Sequence, residues 1–149
     1  MSSHQSRTDR PTPPRRGVVA VIARGPQFLV IERSNQVVAP GAFCFPGGAI
    51  EGEETEEAAL VRELQEELGV NIRPIRKLWQ SLTPWNVDLS WWLADLAAGL
   101  TLEPNPLEVA AVHWLTPAEM LALAGLLESN RSFLSMLADK QIDLEQASQ

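Results

Sequence analysis

The stretch GAIEGEETEEAALVRELQEELGV, running from Gly48 to Val70, decides how the chain is read. Between Thr55 and Leu68 it holds neither glycine nor proline, and Leu60, Val61, Leu64 and Leu68 recur at helical spacing. A helix over Thr55–Leu68 is therefore predicted, stopped by Gly69. Eight glutamates and a single basic residue, Arg62, lie between Glu51 and Glu67. Like charges three or four residues apart repel on a helix, so this composition carries a cost that something should offset. Glu63, Glu66 and Glu67 stand at i, i+3 and i+4, so their side chains fall within roughly 100° of arc and converge beside the apolar stripe. Carboxylates on a packed helix, with no Cys or His ligand nearby, suit Mg2+ or Mn2+, whose remaining positions go to water and substrate phosphates. Spacing alone also allows these glutamates to be the solvated face of an amphipathic helix.

Upstream, Phe45-Pro46-Gly47-Gly48 is a sequence that no regular element is expected to tolerate, and Ser34–Cys44, with Asn35, Pro40 and Gly41, reads as a loop. Val18–Ile22 and Phe28–Ile31 are β-prone runs on either side of Gly25-Pro26, which predicts a hairpin. Residues 1–16 are polar and carry Pro11, Pro13, Pro14 and four arginines, the composition of a flexible tail without the apolar stretch of a secretory signal. Downstream, strands are expected at Ile75–Leu82, Val87–Leu96 and Val109–Leu115, then a helix opened by Pro117 and running through Leu123 or beyond, and another from Ser132 to Leu144. Strands and helices mixed without regular alternation indicate an α+β or layered α/β/α fold. The tail would be followed by one domain over residues 17–145.

A chain of 149 residues with 45% apolar content can bury a single core without disulfides. No apolar run approaches the roughly 20 residues of a membrane-spanning helix, so no membrane partner is expected. Cys44 is the single cysteine, which fits a reducing, cytoplasmic setting and reads as a small core residue. The net charge of -7 argues against extended, sequence-independent nucleic-acid binding. It is compatible with a small phosphorylated ligand if metal ions stand between its phosphates and the carboxylates.

Gly48, Glu54, and Arg62-Glu63-Leu64-Gln65-Glu66-Glu67-Leu68-Gly69-Val70 together match the fixed positions of the Nudix box, and the chain resembles the Nudix hydrolase family there. The hairpin before the box and the strands after it are similar to that fold in order and length. The resemblance implies a mixed sheet flanked by helices, with a loop, helix and loop carrying catalysis. It also implies hydrolysis of a diphosphate linkage in a nucleoside diphosphate derivative or triphosphate by a metal-activated water. Carried over residue by residue, it makes Glu63, Glu66 and Glu67 metal ligands, with the carbonyl of Gly47 or Gly48 as a further one. Arg62 and Glu54 then fix the loop against the helix start through a forked ion pair. One departure is that Glu53 stands where the family often has glycine, with Gly52 one residue earlier, which bears on the loop path more than on the helix.

The general base is read as Glu67 or Glu63 within the box, with Glu103 and Glu108 as remote alternatives. Glu108, just before the Val109–Leu115 strand, is also a candidate further ligand or substrate contact. Arg33, at the end of a strand, is the preferred contact for substrate phosphate, ahead of Arg24 and Lys77. Trp79, Trp85, Trp91, Trp92 and Trp114 are stacking candidates as well as core candidates, and the adjacent Trp91 and Trp92 must face opposite sides of a strand. The loop Ser34–Pro40 lacks the added basic residues of the coenzyme A-cleaving branch, so small nucleotides are the default substrate, acted on by a monomer or homodimer. Two other readings are a catalytically silent Nudix domain that binds a nucleotide or protein, and an acidic interaction protein without phosphate chemistry.

Overall fold

The computed structural model describes residues 12–145. Two four-stranded sheets form its centre. In one, β5 (Gly47–Ala49), β1 (Arg15–Val21), β7 (Val87–Leu96) and β6 (Ile72–Leu82) lie side by side in that order. β1 runs parallel to β7 and antiparallel to β5, so the sheet is mixed. In the other, β3 (Gln27–Arg33) pairs with β2 (Ala23–Arg24), β4 (Phe43–Cys44) and β8 (Val109–Leu115). Helix α1 spans Glu56–Leu68, α2 Pro117–Leu121 and α3 Glu128–Ala138.

Alternation along β1 sets the layers. Val18, Ala20 and Ile22 face one way and pack with Ala59, Leu60, Leu64 and Leu68 of α1. Val19 and Val21 face the other way, into a core with Trp91, Met120 and Phe133 on the α3 side. The result is the expected α/β/α sandwich. Each fully buried leucine of α1 contributes roughly 1.5–3 kcal/mol of apolar burial, so the helix that carries the glutamates is anchored by its own stripe.

Helix α1 begins and ends as its sequence dictates. Thr55 Oγ1 accepts from the Ala58 N–H, and Gly69 closes the helix at φ 66°, its N–H bonded to Gln65 O. A side chain on Gly69 would also press on Glu103, with a Cβ only 3.1 Å from the Glu103 Cβ. Strands β7 and β8 have the predicted ends, and β6 begins three residues early, at Ile72.

Several expectations are corrected. Val18–Ile22 and Phe28–Ile31 do not form one hairpin, because β1 pairs with β5 and β7 while β2 alone turns back on β3. The chain changes sheet at Ile22, whose carbonyl still accepts from the Leu29 N–H. Gly47 and Gly48 stand in β5, tolerated at a sheet edge, where the absence of side chains allows close approach to β1. Phe43 and Cys44 also leave the expected loop as β4. The last helix starts and stops earlier than expected, at Glu128 and Ala138, and α2 ends at Leu121. Most of the tail reading, residues 1–11, lies outside the described residues; Arg15 and Arg16 belong to β1, in register with Val87 and Asp88. Among the described residues no helix is long and apolar enough to cross a membrane.

Candidate active site

Arg62 organises the start of α1. Its Nε and Nη2 donate to the two oxygens of Glu54 at 2.6 and 2.9 Å, and Nη2 also donates to Ala49 O at 2.9 Å. Its Nη1 donates to Glu63 Oε2 at 3.0 Å and Glu66 Oε1 at 3.1 Å. All five guanidinium N–H groups thus find acceptors, and one side chain ties the loop before α1 to two of the box glutamates. This pairing holds the Glu54 carboxyl down at about 2 and pushes the Arg62 guanidinium further up from its already high value. Glu54 Oε1 also accepts from the Glu51 N–H at 2.9 Å, so Glu54 closes its own loop as well as meeting Arg62.

Glu63 and Glu67 are buried although both are ionisable. With Glu108 they bring carboxylate oxygens within 4.8 Å of one another, an oxygen-only set suited to a hard divalent cation. Burial pushes Glu67 up to about 8, helped by the charges of Glu63 and Glu108 and opposed by the Gly47 N–H and Arg33. Burial also pushes Glu63 up to about 6, with Arg62 opposing. Glu66 lies outside this trio: its carboxylate sits on Arg62 and is half exposed.

The glycines before the helix shape the cluster. A Cβ on Gly48 would lie 2.2 Å from the Glu63 carboxyl carbon, and one on Gly47 would lie 2.1 Å from Val18 O. Gly47 N–H donates to Glu67 Oε1 at 3.1 Å. The bonds Ile50 N–H to Arg16 O and Ala20 N–H to Pro46 O set the phase of the β1–β5 ladder. In an antiparallel ladder of that phase Val18 and Gly48 form the hydrogen-bonded pair, which engages the Gly48 carbonyl with β1 and turns the Gly47 carbonyl toward the side where Glu67 sits.

Glu108 reaches the cluster because its segment is pinned on both sides. Asn105 N–H donates to Glu67 O at 2.8 Å and Asn105 O accepts from Glu108 N–H at 2.9 Å, while Ser34 N–H donates to Glu108 O at 3.0 Å. Glu103 instead lies at the C-terminal end of α1, its N–H bonded to Leu68 O. Arg33 follows a bulge in β3; its Nε donates to Val38 O at 2.7 Å, and Nη1 lies 4.0 Å from Cys44 Sγ. Cys44 is buried, and burial pushes its thiol up to about 11, as suits a core residue. Arg24 stacks on Trp114, 4.0 Å from the ring centroid, and Lys77 pairs with Glu56 at 3.3 Å.

Glu56 is a residue that the sequence did not single out. Its Oε1 accepts from Trp92 Nε1 at 2.9 Å, so Trp92 fixes the first turn of α1 from the sheet. Trp91 faces away, stacked on Phe133 at 4.8 Å with its Nε1 donating to Ser81 Oγ. Trp79 and the exposed Trp85 border a cleft of about 670 Å3, together with Leu82, Ser129, Arg131 and Met136. The neighbouring Asn130, buried, accepts the Phe45 N–H at 2.8 Å through Oδ1, which links the cleft wall to the segment that leads into Gly47. Asn130, Asn105 and Ser34 carry no sequence signal, since their partners are 85, 38 and 74 residues away or set by loops.

Comparison with known proteins agrees with this geometry. The profile of the NUDIX domain matches residues 13–137. The chain is 32% identical over 123 residues to the NAD-capped RNA hydrolase NudC of Deinococcus radiodurans, covering 78% of this chain and 42% of that one. It is also 32% identical over 107 residues to the putative 8-oxo-dGTP diphosphatase 2 of Mycobacterium tuberculosis, covering 69% of this chain and 74% of that one. The chain thus spans less than half of the NudC length. The crystal structure of a MutT protein from Methanosarcina mazei superposes with a TM-score of 0.75 at 20% identity, covering 89% of this chain and 99% of that one, a likeness of fold. With the box intact and the profile matched over most of its length, this chain belongs to the Nudix family.

Proposed function

We propose that the chain hydrolyses a diphosphate linkage in a nucleoside diphosphate derivative or nucleoside triphosphate, using Mg2+ or Mn2+. The observation that carries this reading is the convergence of Glu63, Glu67 and Glu108 within 4.8 Å. Three carboxylates so close, two of them buried, repel unless they are protonated or share a cation. The donors that would hold a hard ion are these three carboxylates and the Gly47 carbonyl on the Glu67 side of β5, while Glu66 stays on Arg62 outside the trio. A cation held there would offset the charge of the substrate phosphates and acidify the attacking water.

The residues of the chain do the positioning. Gly47 N–H fixes Glu67, and Arg62 fixes Glu63 and Glu66 on one side of the helix. Arg33, held by Val38 O near Glu67, offers its guanidinium to a substrate phosphate. Water attacks one phosphorus in line, the bridging P–O bond breaks, and a box carboxylate, Glu67 or Glu63, takes the water proton. The cleft by Trp79 and Trp85 is of a size for a nucleoside, and Asn130, next to its wall, accepts the Phe45 N–H in the segment that leads into Gly47. The names of the two relatives, for an NAD-capped RNA and for 8-oxo-dGTP, support a phosphate-linked nucleotide as the substrate class.

A panel of nucleoside diphosphate derivatives and triphosphates, assayed for phosphate or nucleotide release with Mg2+, Mn2+ or EDTA, tests the proposal. Cation-dependent turnover of at least one compound is expected. Nucleotide binding by calorimetry without any turnover in Mn2+ would instead establish a silent binding domain.

A further inference from the structure

Glu108 comes to the carboxylate cluster from a loop, not from the helix, so its carboxylate is only as well placed as the segment that carries it. That segment hangs on Ser34, which is buried at 5% exposure. Ser34 Oγ donates to Leu107 O at 2.7 Å and accepts from Gln36 N–H at 3.1 Å, and Ser34 N–H donates to Glu108 O at 3.0 Å. One residue thus grips both Leu107 and Glu108, 73 and 74 positions away in the chain. On the other side Asn105 grips the same segment, with Oδ1 accepting from Leu107 N–H at 3.1 Å and its own N–H bonded to Glu67 O.

We infer that Ser34 is a positioning residue for the cation site: its hydroxyl locks the segment 105–108 so that the Glu108 carboxylate stays on Glu63 and Glu67. The inference rests on the proposed function only in taking Glu108 as part of the cation site. Ser34 follows Arg33 directly, and its hydroxyl also shapes the turn that brings Val38 O onto Arg33 Nε. A single hydroxyl therefore connects the proposed phosphate contact with the third carboxylate.

The test is a double-mutant cycle on the full chain, reading Mn2+ affinity by electron paramagnetic resonance of the free ion, with melting in EDTA measured alongside. Glu108→Gln is expected to weaken Mn2+ binding, and Ser34→Ala to weaken it about tenfold, the usual effect of losing a residue that orients a ligand. In the Glu108→Gln background, Ser34→Ala should add less than twofold, because its effect passes through Glu108. Ser34→Thr, which keeps the hydroxyl, should restore most of the affinity. Where Ser34→Ala does not fold, Asn105→Ala removes the Oδ1 acceptor of the Leu107 N–H, loosens the same segment from within, and should show the same dependence on Glu108. Unchanged affinity in Ser34→Ala, or an equal loss with and without Glu108, would overturn the inference while leaving the proposed site intact. Unchanged affinity in Glu108→Gln would overturn the placement of Glu108 in the cation site itself.

Discussion

Gly48 and Glu63 interlock: the space that a Cβ on Gly48 would fill is occupied by the Glu63 carboxyl group, 2.2 Å from its carbon. Gly48→Ala must therefore displace Glu63, which Arg62 holds but which is not backbone and can move. The expected result is a protein that folds and loses at least 100-fold in kcat/KM, with weakened Mn2+ binding. Gly47→Ala meets backbone instead, at 2.1 Å from Val18 O, and should lower the melting temperature markedly. Comparing activity and melting of the two variants checks the distinction.

Arg62→Lys keeps the charge and removes the fork. Lysine cannot serve Glu54, Ala49 O, Glu63 and Glu66 from one planar group, so the loop and both glutamates lose their common anchor. A 10- to 100-fold fall in kcat/KM is expected, with a raised cation requirement, measured by titrating Mg2+ in the hydrolysis assay.

The stability of the cation-free protein should depend on pH in a defined direction. Glu67 and Glu63 bind protons more tightly folded, at about 8 and about 6, than at the ordinary carboxylate value of 4.5. Their contribution is complete below pH 4.5 and is lost as pH rises through 6 and 8. Melting in EDTA should fall by roughly 5–10 °C between pH 5 and pH 9 from these groups. Glu67→Gln should flatten that slope, as should saturating Mn2+ in the wild type. A melting temperature in EDTA that rose across this range would contradict the assignment.

Trp85→Ala should act on binding more than on chemistry. Its ring is exposed at the cleft, and stacking of a base on an aromatic side chain contributes about 1–3 kcal/mol. A rise in KM of about tenfold with kcat within a factor of two is expected from steady-state kinetics. Trp91→Ala, by contrast, opens the core beside Phe133 and should destabilise the fold by about 3–5 kcal/mol, seen in urea unfolding.

The sequence was most readable where local chemistry and tertiary packing agree. Leu60, Leu64 and Leu68, capped by Thr55 and Gly69, give α1 from periodicity and turn chemistry alone. Val87–Leu96 and Val109–Leu115 are β-prone runs between turn residues, and both strands have those ends. Reading failed where pairing overrides local signals. Gly47 and Gly48 form an edge strand because close packing on Val18 and Glu63 needs glycine, a reason invisible along the chain. The Gly25-Pro26 turn is present, but Val18–Ile22 goes to β7, a partner some 70 residues away. Helical spacing brings Glu63, Glu66 and Glu67 to one side, and Glu108 is a candidate ligand from its place before a strand, but only the fold shows Glu108 meeting Glu63 and Glu67 and Glu66 held on Arg62. Ser34 and Asn105 could not be found in advance, since their work depends on loops meeting in space.

The most direct test of the central claim is the rate of hydrolysis by wild type and Glu67→Gln across the nucleotide panel, each with Mg2+ or Mn2+ and with EDTA. Glutamine keeps the shape of Glu67 and its bond from the Gly47 N–H while removing the charge. The wild type should turn over at least one compound only with the cation present, and Glu67→Gln should lose at least 1,000-fold in kcat while melting no lower than wild type in EDTA. Equal turnover by both proteins, or wild-type turnover that EDTA leaves unchanged, would contradict the assignment of the Glu63, Glu67 and Glu108 cluster as the cation site of a diphosphate hydrolase.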